Sequence, residues 1–150
     1  SGLGLEKEVE NSLYDVLIND VDIMSTLQES CIKNLIYTPG EDTLGLLYQS
    51  LCSMGDRKAS GSYYTSGKLA KQLVENHLPA LQPHQTVFDP SCGTGIFLLQ
   101  LPNDIPLQNI YGNDINPTSV TLARINLALK FHTTAVEEIE LLQKNITVFT

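Results

Sequence analysis

Val87-Phe88-Asp89-Pro90-Ser91-Cys92-Gly93-Thr94-Gly95-Ile96-Phe97-Leu98 is the stretch whose reading decides the fold. It reads as a buried strand that breaks into a tight glycine turn and opens a helix. A strand–Gly-x-Gly–helix unit turns backbone N–H groups outward and leaves no Cβ in the way, so a nucleotide-like ligand can approach the main chain. A second strand follows in Tyr111-Gly112-Asn113-Asp114-Ile115 and ends on an acid twenty-one residues after Gly93. In a doubly wound sheet that is where a carboxylate holds a ribose diol.

The spacing excludes two common nucleotide sites. A dinucleotide fingerprint requires G-x-G-x-x-G, and its third position here is Leu98. A phosphate-binding P-loop requires a lysine after the glycines, and none is present. Asp89 at the strand end would repel a pyrophosphate but suits a ligand with positive charge. S-adenosyl-L-methionine has a sulfonium and an ammonium and no phosphate, so the residues favour that cofactor. Asp114 is expected to accept from both ribose hydroxyls, a role suggested by an otherwise uncompensated carboxylate. Asp89 is expected to accept from the ammonium, against the alternative of a turn aspartate bonded to its own loop amides. Gly93 and Gly95 would allow close backbone approach, or serve only as a turn. Ile115 would lie on the adenine face or belong to the core.

The surrounding motifs resemble a known family. Asp89-Pro90-Ser91-Cys92-Gly93-Thr94-Gly95-Ile96-Phe97-Leu98 is similar to the cofactor motif of N6-adenine DNA methyltransferases from restriction–modification systems. Upstream, Gly61-Ser62-Tyr63-Tyr64-Thr65-Ser66 resembles the segment that covers the methionine end of the cofactor in those enzymes, with Ser66 where the family usually has proline. Downstream, Gly112-Asn113-Asp114-Ile115-Asn116-Pro117 and Leu122-Ala123-Arg124-Ile125-Asn126-Leu127-Ala128-Leu129 resemble the ribose- and adenine-binding motif and its helix. The order is similar to the gamma class, which includes type I modification subunits and fused restriction–modification enzymes. The resemblance implies a Rossmann-like α/β methyltransferase fold and a cofactor site built from Tyr64, Thr65, Asp89, Pro90, Ser91, Gly93, Gly95, Asp114 and Ile115. A shielding cation–π contact from Tyr64 to the sulfonium competes with simple packing of a helix-entry aromatic.

The family performs its chemistry with an Asn/Asp-Pro-Pro-aromatic tetrapeptide after the fourth strand, and this chain has no Pro-Pro pair. No catalytic residue is therefore expected within it. Residues 59–150 read as the first half of the cofactor domain, ending at a third strand, and residues 1–58 as an N-terminal helical region. The function this implies is the cofactor-binding portion of an enzyme that methylates N6 of adenine in DNA. The alternatives are a non-catalytic cofactor-binding or subunit-interaction module of a restriction assembly, or a methyltransferase acting on RNA or protein.

Charge and composition narrow the partners. Of the net −8, residues 1–42 carry nine acidic and two basic groups, and residues 43–150 carry eight acidic and seven basic. A duplex-gripping surface should be basic, so DNA contact is expected through regions outside this chain, with specificity and restriction subunits as further partners. No apolar run approaches membrane-spanning length and the N-terminus lacks a signal-peptide layout, so no membrane partner is expected. Cys31, Cys52 and Cys92 are odd in number and lack C-x-x-C spacing, which argues for a reducing, cytoplasmic setting and no metal site.

The element reading is helices before Thr38, a helix over 43–54 capped by Asp42, and a helix over 67–78. Then come strand 86–88, helix 94–101, strand 109–112, helix 117–130 and strand 146–149. The alternation predicts a parallel sheet. The run Glu137-Glu138-Ile139-Glu140 reads as a solvated helix face, Phe97 as core, and Cys92 as a small buried side chain. His77, His84 and His132 read as surface or helix-end residues.

Overall fold

The computed structural model describes residues 38, 40–46, 65–78, 80–133 and 135–149. The helices expected before Thr38, most of the one over 43–54, and the polar boundary loop at 55–61 lie outside the described residues. Residues 43–46 are helical, and the next described element is α1 (Gly67–His77). The core then runs β1 (Val87–Asp89), β2 (Ile110–Asp114), α2 (Pro117–Lys130), α3 (Val136–Asn145) and β3 (Ile146–Val148).

The three strands form one parallel sheet in the order β1-β2-β3. Val87 pairs with Ile110 and Asp89 with Gly112, while Gly112 pairs with Ile146 and Asp114 with Val148. Because strand side chains alternate between faces, this register puts Val87, Ile110, Gly112 and Ile146 on one face. Ile110 and Ile146 are fully buried there, under α2 and α3. Phe88 and Tyr111 stand side by side on the opposite face and remain 55% and 38% exposed. Among the described residues nothing pairs with the outer edge of β1.

Each helix has a visible reason to start where it does. Ser66 caps α1, its hydroxyl accepting from the Leu69 amide at 3.3 Å. Asn116 caps α2 by accepting from the Thr118 and Ser119 amides at 2.9 and 3.2 Å, with Pro117 at the first helical position. Glu138 accepts from the Ala135 amide at 3.2 Å, so the acidic run opens α3 where the helix dipole favours negative charge. Glu137 and Glu140 do face solvent, while Ile139 between them is buried.

The expected helix over 94–101 is not there. The segment turns irregularly and forms only a 3₁₀ turn, Leu98–Gln100. Gly95 has φ +91° and cannot begin a right-handed helix. At the other end Leu101 precedes Pro102 and takes ψ 150°, outside the helical region. Too few residues remain between these two stops for a helix. They pack all the same: Ile96, Leu98, Leu99 and Leu101 join the buried core with Ile105, Ile110, Val120, Leu122 and Leu127. Among the described residues no helix is long and apolar enough to cross a membrane.

The core makes a testable claim. Leu122, fully buried at the middle of α2, is expected to cost about 2–5 kcal/mol of unfolding free energy when replaced by alanine. Lys71→Ala, which removes an exposed 3.8 Å pair with Glu75, is expected to stay within about 0.5 kcal/mol of the parent. Chemical denaturation of the complete protein measures both.

Candidate functional site

The site lies at the C-terminal ends of β1 and β2. Asp89 closes β1, and its Oδ1 accepts from the Ser91 amide at 3.1 Å. Pro90 and Ser91 stay exposed, and the chain then dives to Cys92, whose amide donates to the Asn113 carbonyl at 2.8 Å. Gly93 (φ +54°) and Gly95 (φ +91°) both adopt the left-handed conformation that L side chains resist. The two differ in their surroundings. A Cβ on Gly93 would meet nothing within 4 Å, so that side of the loop is open to a ligand. A Cβ on Gly95 would stand 3.4 Å from Ala123 Cβ, so this glycine lets the loop close down on α2.

Asp114 joins the two strand ends. Its Oδ2 accepts from the Gly93 amide at 2.8 Å and its Oδ1 from the Asn116 amide at 2.9 Å. The carboxylate is therefore not uncompensated, which corrects one argument for it. Each oxygen still has a second lone pair with which to accept a further hydrogen bond. Ile115, the next residue, is 73% exposed. It does not belong to the core, and it offers bare apolar surface beside the carboxylate.

Upstream, Thr65 is half-buried just before the α1 cap, and Tyr64 lies outside the described residues. A Cβ on Gly67 would be 3.8 Å from Ile96 Cδ1 and 3.6 Å from the Gly40 carbonyl, so the start of α1 adjoins the far side of the glycine loop. The structure thus brings Asp89, Gly93, Gly95, Asp114 and Ile115 to one corner, with the Thr65 end of α1 against the residue that follows the loop.

The electrostatics suit a cation. Burial pushes the Asp89 carboxyl above its ordinary value, the Ser91 amide works against the shift, and the Asp114 charge adds to it. Burial, Asp89 and Asp114 together push the Cys92 thiol up to about 12, which keeps it protonated and makes it no nucleophile. Arg124 is not available to a phosphate: its Nε donates to the Ile146 carbonyl at 2.8 Å and its Nη2 to the Gln143 carbonyl at 3.1 Å. Among the described residues no group of three or more His, Cys, Asp and Glu side chains is placed to hold a metal ion.

Sequence reasoning took Asp42 for a helix cap and stopped there. It is a cap, accepting from the Gly45 amide at 2.8 Å, but it is also 1% exposed and reaches into the core. Its Oδ1 accepts from Asn126 Nδ2 at 2.6 Å, and its Oδ2 accepts from the Thr94 hydroxyl. The same Asn126 amide group donates to the Thr94 carbonyl at 3.0 Å. No local signal could have found this set, because its members are 52 and 84 residues apart.

Comparison with known proteins places the chain in a family. The model of the N-6 DNA methylase family matches residues 40–145, and the chain belongs to that family. It is similar to the type I restriction enzyme HindI methylase subunit of Haemophilus influenzae, 30% identical over 106 residues that cover 63% of this chain and 23% of that protein. The type I restriction enzyme MjaIX methylase subunit of Methanocaldococcus jannaschii is 27% identical over 133 residues, covering 83% of this chain and 22% of the relative. The type II methyltransferase M.VspI of a Vibrio strain is 30% identical over 102 residues, 66% of this chain and 25% of its own length. The chain thus spans about a quarter of the length of these relatives. No solved structure matches it significantly.

Asp42 yields a pH prediction. Burial raises its carboxyl, with the Thr94, Gly45 and Asn126 hydrogen bonds opposing the shift. A group raised on folding contributes stability below its unfolded value of 3.8 and loses that contribution as pH rises through the folded value. Asp42→Asn keeps the shape and an acceptor for Asn126 and Gly45, and its amide can donate to Thr94 Oγ1. Relative to the parent, the variant is expected to gain stability as pH rises from about 4 to about 7, as read from denaturation midpoints. A relative loss over that range would contradict the assignment.

Proposed function

We propose that this chain supplies the cofactor-binding portion of a DNA methyltransferase that transfers a methyl group from S-adenosyl-L-methionine to N6 of adenine in a restriction–modification system. The observation that carries this reading is the corner where Asp114 grips Gly93: an acid at a strand end, bonded to an open glycine 21 residues earlier and followed directly by an exposed apolar residue. The donor set fits the cofactor. Two acidic side chains, with Arg124 engaged by the Ile146 and Gln143 carbonyls, suit a ligand with ammonium and sulfonium charges and no phosphate.

The roles follow from the chemistry of each group. Asp114 accepts from the ribose hydroxyls with its remaining lone pairs, and Ile115 lies on the adenine face. Asp89 accepts from the ammonium, while Pro90, Ser91, Gly93 and Gly95 shape the loop that meets the methionine half. Tyr64 and Thr65 cover that half from the upstream side. When bound, the cofactor supplies an electrophilic methyl on sulfur. The chain's own contribution is to orient that methyl and to balance its charge. Activation of the adenine amine falls to residues outside the chain, since the family's Pro-Pro motif does not occur in it. The target base must leave the duplex to be reached.

Residues 59–150 then form the first half of a Rossmann-like domain preceded by a helical region over 1–58. Among the described residues β1 has an unpaired edge and the Phe88–Tyr111 face is exposed, which supports this, because a further strand and covering helices would fill both. DNA and the specificity and restriction subunits would contact other parts of the protein, in the cytoplasm.

Titration calorimetry of S-adenosyl-L-methionine into the complete protein and its Asp114→Ala variant tests the reading. Saturable binding in the parent, weakened by about 1–3 kcal/mol in the variant, is the expected result. Absence of binding by the folded parent would overturn it.

A further inference from the structure

Asp42 carries more than its helix cap requires. A cap needs one acceptor for one amide, and the Gly45 amide takes that role at Oδ1. The remaining capacity of the carboxylate goes to Asn126 of α2 and to the hydroxyl of Thr94. Thr94 is the residue between Gly93 and Gly95. Its carbonyl is taken by Asn126 as well, at 3.0 Å, so the middle of the loop is held at both side chain and backbone. Gly45 has to be glycine for this packing: a Cβ there would collide with the Asp42 carboxylate and stand 2.6 Å from Thr94 Oγ1. A second tie lies beside the first, where Gln100 Nε2 donates to the Gly40 carbonyl at 2.9 Å and to the Ile96 carbonyl at 3.2 Å.

The loop thus has two anchors. Asp114 holds Gly93 from the open, ligand-facing side, and Asp42 with Asn126 holds Thr94 from the buried side. Both glycines that flank Thr94 are left-handed. Glycine has many competing conformations of similar energy, so a loop of this kind needs outside groups to hold one of them. Asp42 is 1% exposed and Asn126 3% exposed, so neither touches ligand from solvent. Any effect they have on binding passes through the loop.

We propose that Asp42 is a positioning residue for the cofactor site, holding the Gly93-Thr94-Gly95 loop in its binding conformation through Thr94 and Asn126 and thereby making residues 40–46 and the cofactor site one cooperative unit. The proposal rests on the reading of this corner as an S-adenosyl-L-methionine site. Binding of the cofactor then stabilises residues 40–46, and loosening those residues weakens the cofactor, because coupling between two sites is reciprocal. Whatever packs on the helix that begins at residue 43 gains a route to the methyl donor.

The test measures S-adenosyl-L-methionine dissociation constants of the complete protein by calorimetry, with melting temperature recorded for each variant. Asp42→Ala removes the acceptor of three donors and is expected to weaken binding tenfold or more. Asp42→Asn keeps the geometry and is expected to recover most of the affinity. Thr94→Val, which loses the hydroxyl alone, is expected to weaken binding severalfold, and Thr94→Ser to restore it. A merely structural role would lower the melting temperature of Asp42→Ala and leave the affinity of the folded fraction unchanged. Parent binding that Asp114→Ala weakens and Asp42→Ala does not would overturn this proposal and leave the cofactor site standing. No binding by the parent would overturn both. Hydrogen exchange of the unmutated protein decides the matter if Asp42→Ala does not fold. Cofactor is expected to slow exchange at Gly45 and Leu46 together with Gly93 and Gly95, and protection confined to the glycine loop would refute the coupling.

Discussion

A hydrogen bond from the Gly93 amide to Asp114 Oδ2, 2.8 Å long and spanning 21 residues, is the constraint from which the site takes its shape. It ties the turn after β1 to the end of β2, and it uses a carboxylate that also starts α2 through the Asn116 amide. Strand ends, glycine loop and helix start are thereby fixed relative to one another by one side chain. The parallel register supplies the rest, since Asp89 opposite Gly112 puts Asp114 two residues beyond the β1 end, on the same face. Gly112 in turn must be small, because a Cβ there would stand 3.1 Å from Cys92 Sγ and 3.3 Å from Leu98 Cδ1. Leu98 occupies the position of the third glycine in a dinucleotide fingerprint and fills the core instead.

Much of this was legible in the chain itself. The glycine turn, the acid at the end of the second strand, the Asn116-Pro117 helix start and the parallel strands are local patterns, and all of these are present. What escaped was of two kinds. The helix expected to open from the glycine turn over 94–101 does not form, since Gly95 is committed to positive φ by the loop and Pro102 forces Leu101 out of the helical region. The Asp42–Thr94–Asn126 set escaped because hydrogen bonds across 52 and 84 residues leave no periodic trace. A buried acid with a good local explanation as a cap hides its second role.

Charge organises the corner as firmly as geometry does. Burial raises the Cys92 thiol, with Asp89 and Asp114 adding to it, and Asp114 adds to the effect of burial on Asp89. Asp42 adds a third carboxyl beneath the loop, satisfied by uncharged donors. Carboxyl groups grouped under left-handed glycines would be costly without a purpose. Asp42 has its purpose in the Thr94 and Asn126 ties, and Asp89 and Asp114 at the strand ends are the two that the proposed cationic cofactor would meet.

The central claim is that this corner holds S-adenosyl-L-methionine, and a crystal structure of the complete protein with the cofactor bound tests it most directly. The account requires the ribose hydroxyls within about 2.7–3.2 Å of the Asp114 carboxylate, the adenine on Ile115, and the Gly93–Asp114 bond intact. Cofactor seated elsewhere, with Asp114 touching only its two backbone amides, would contradict it.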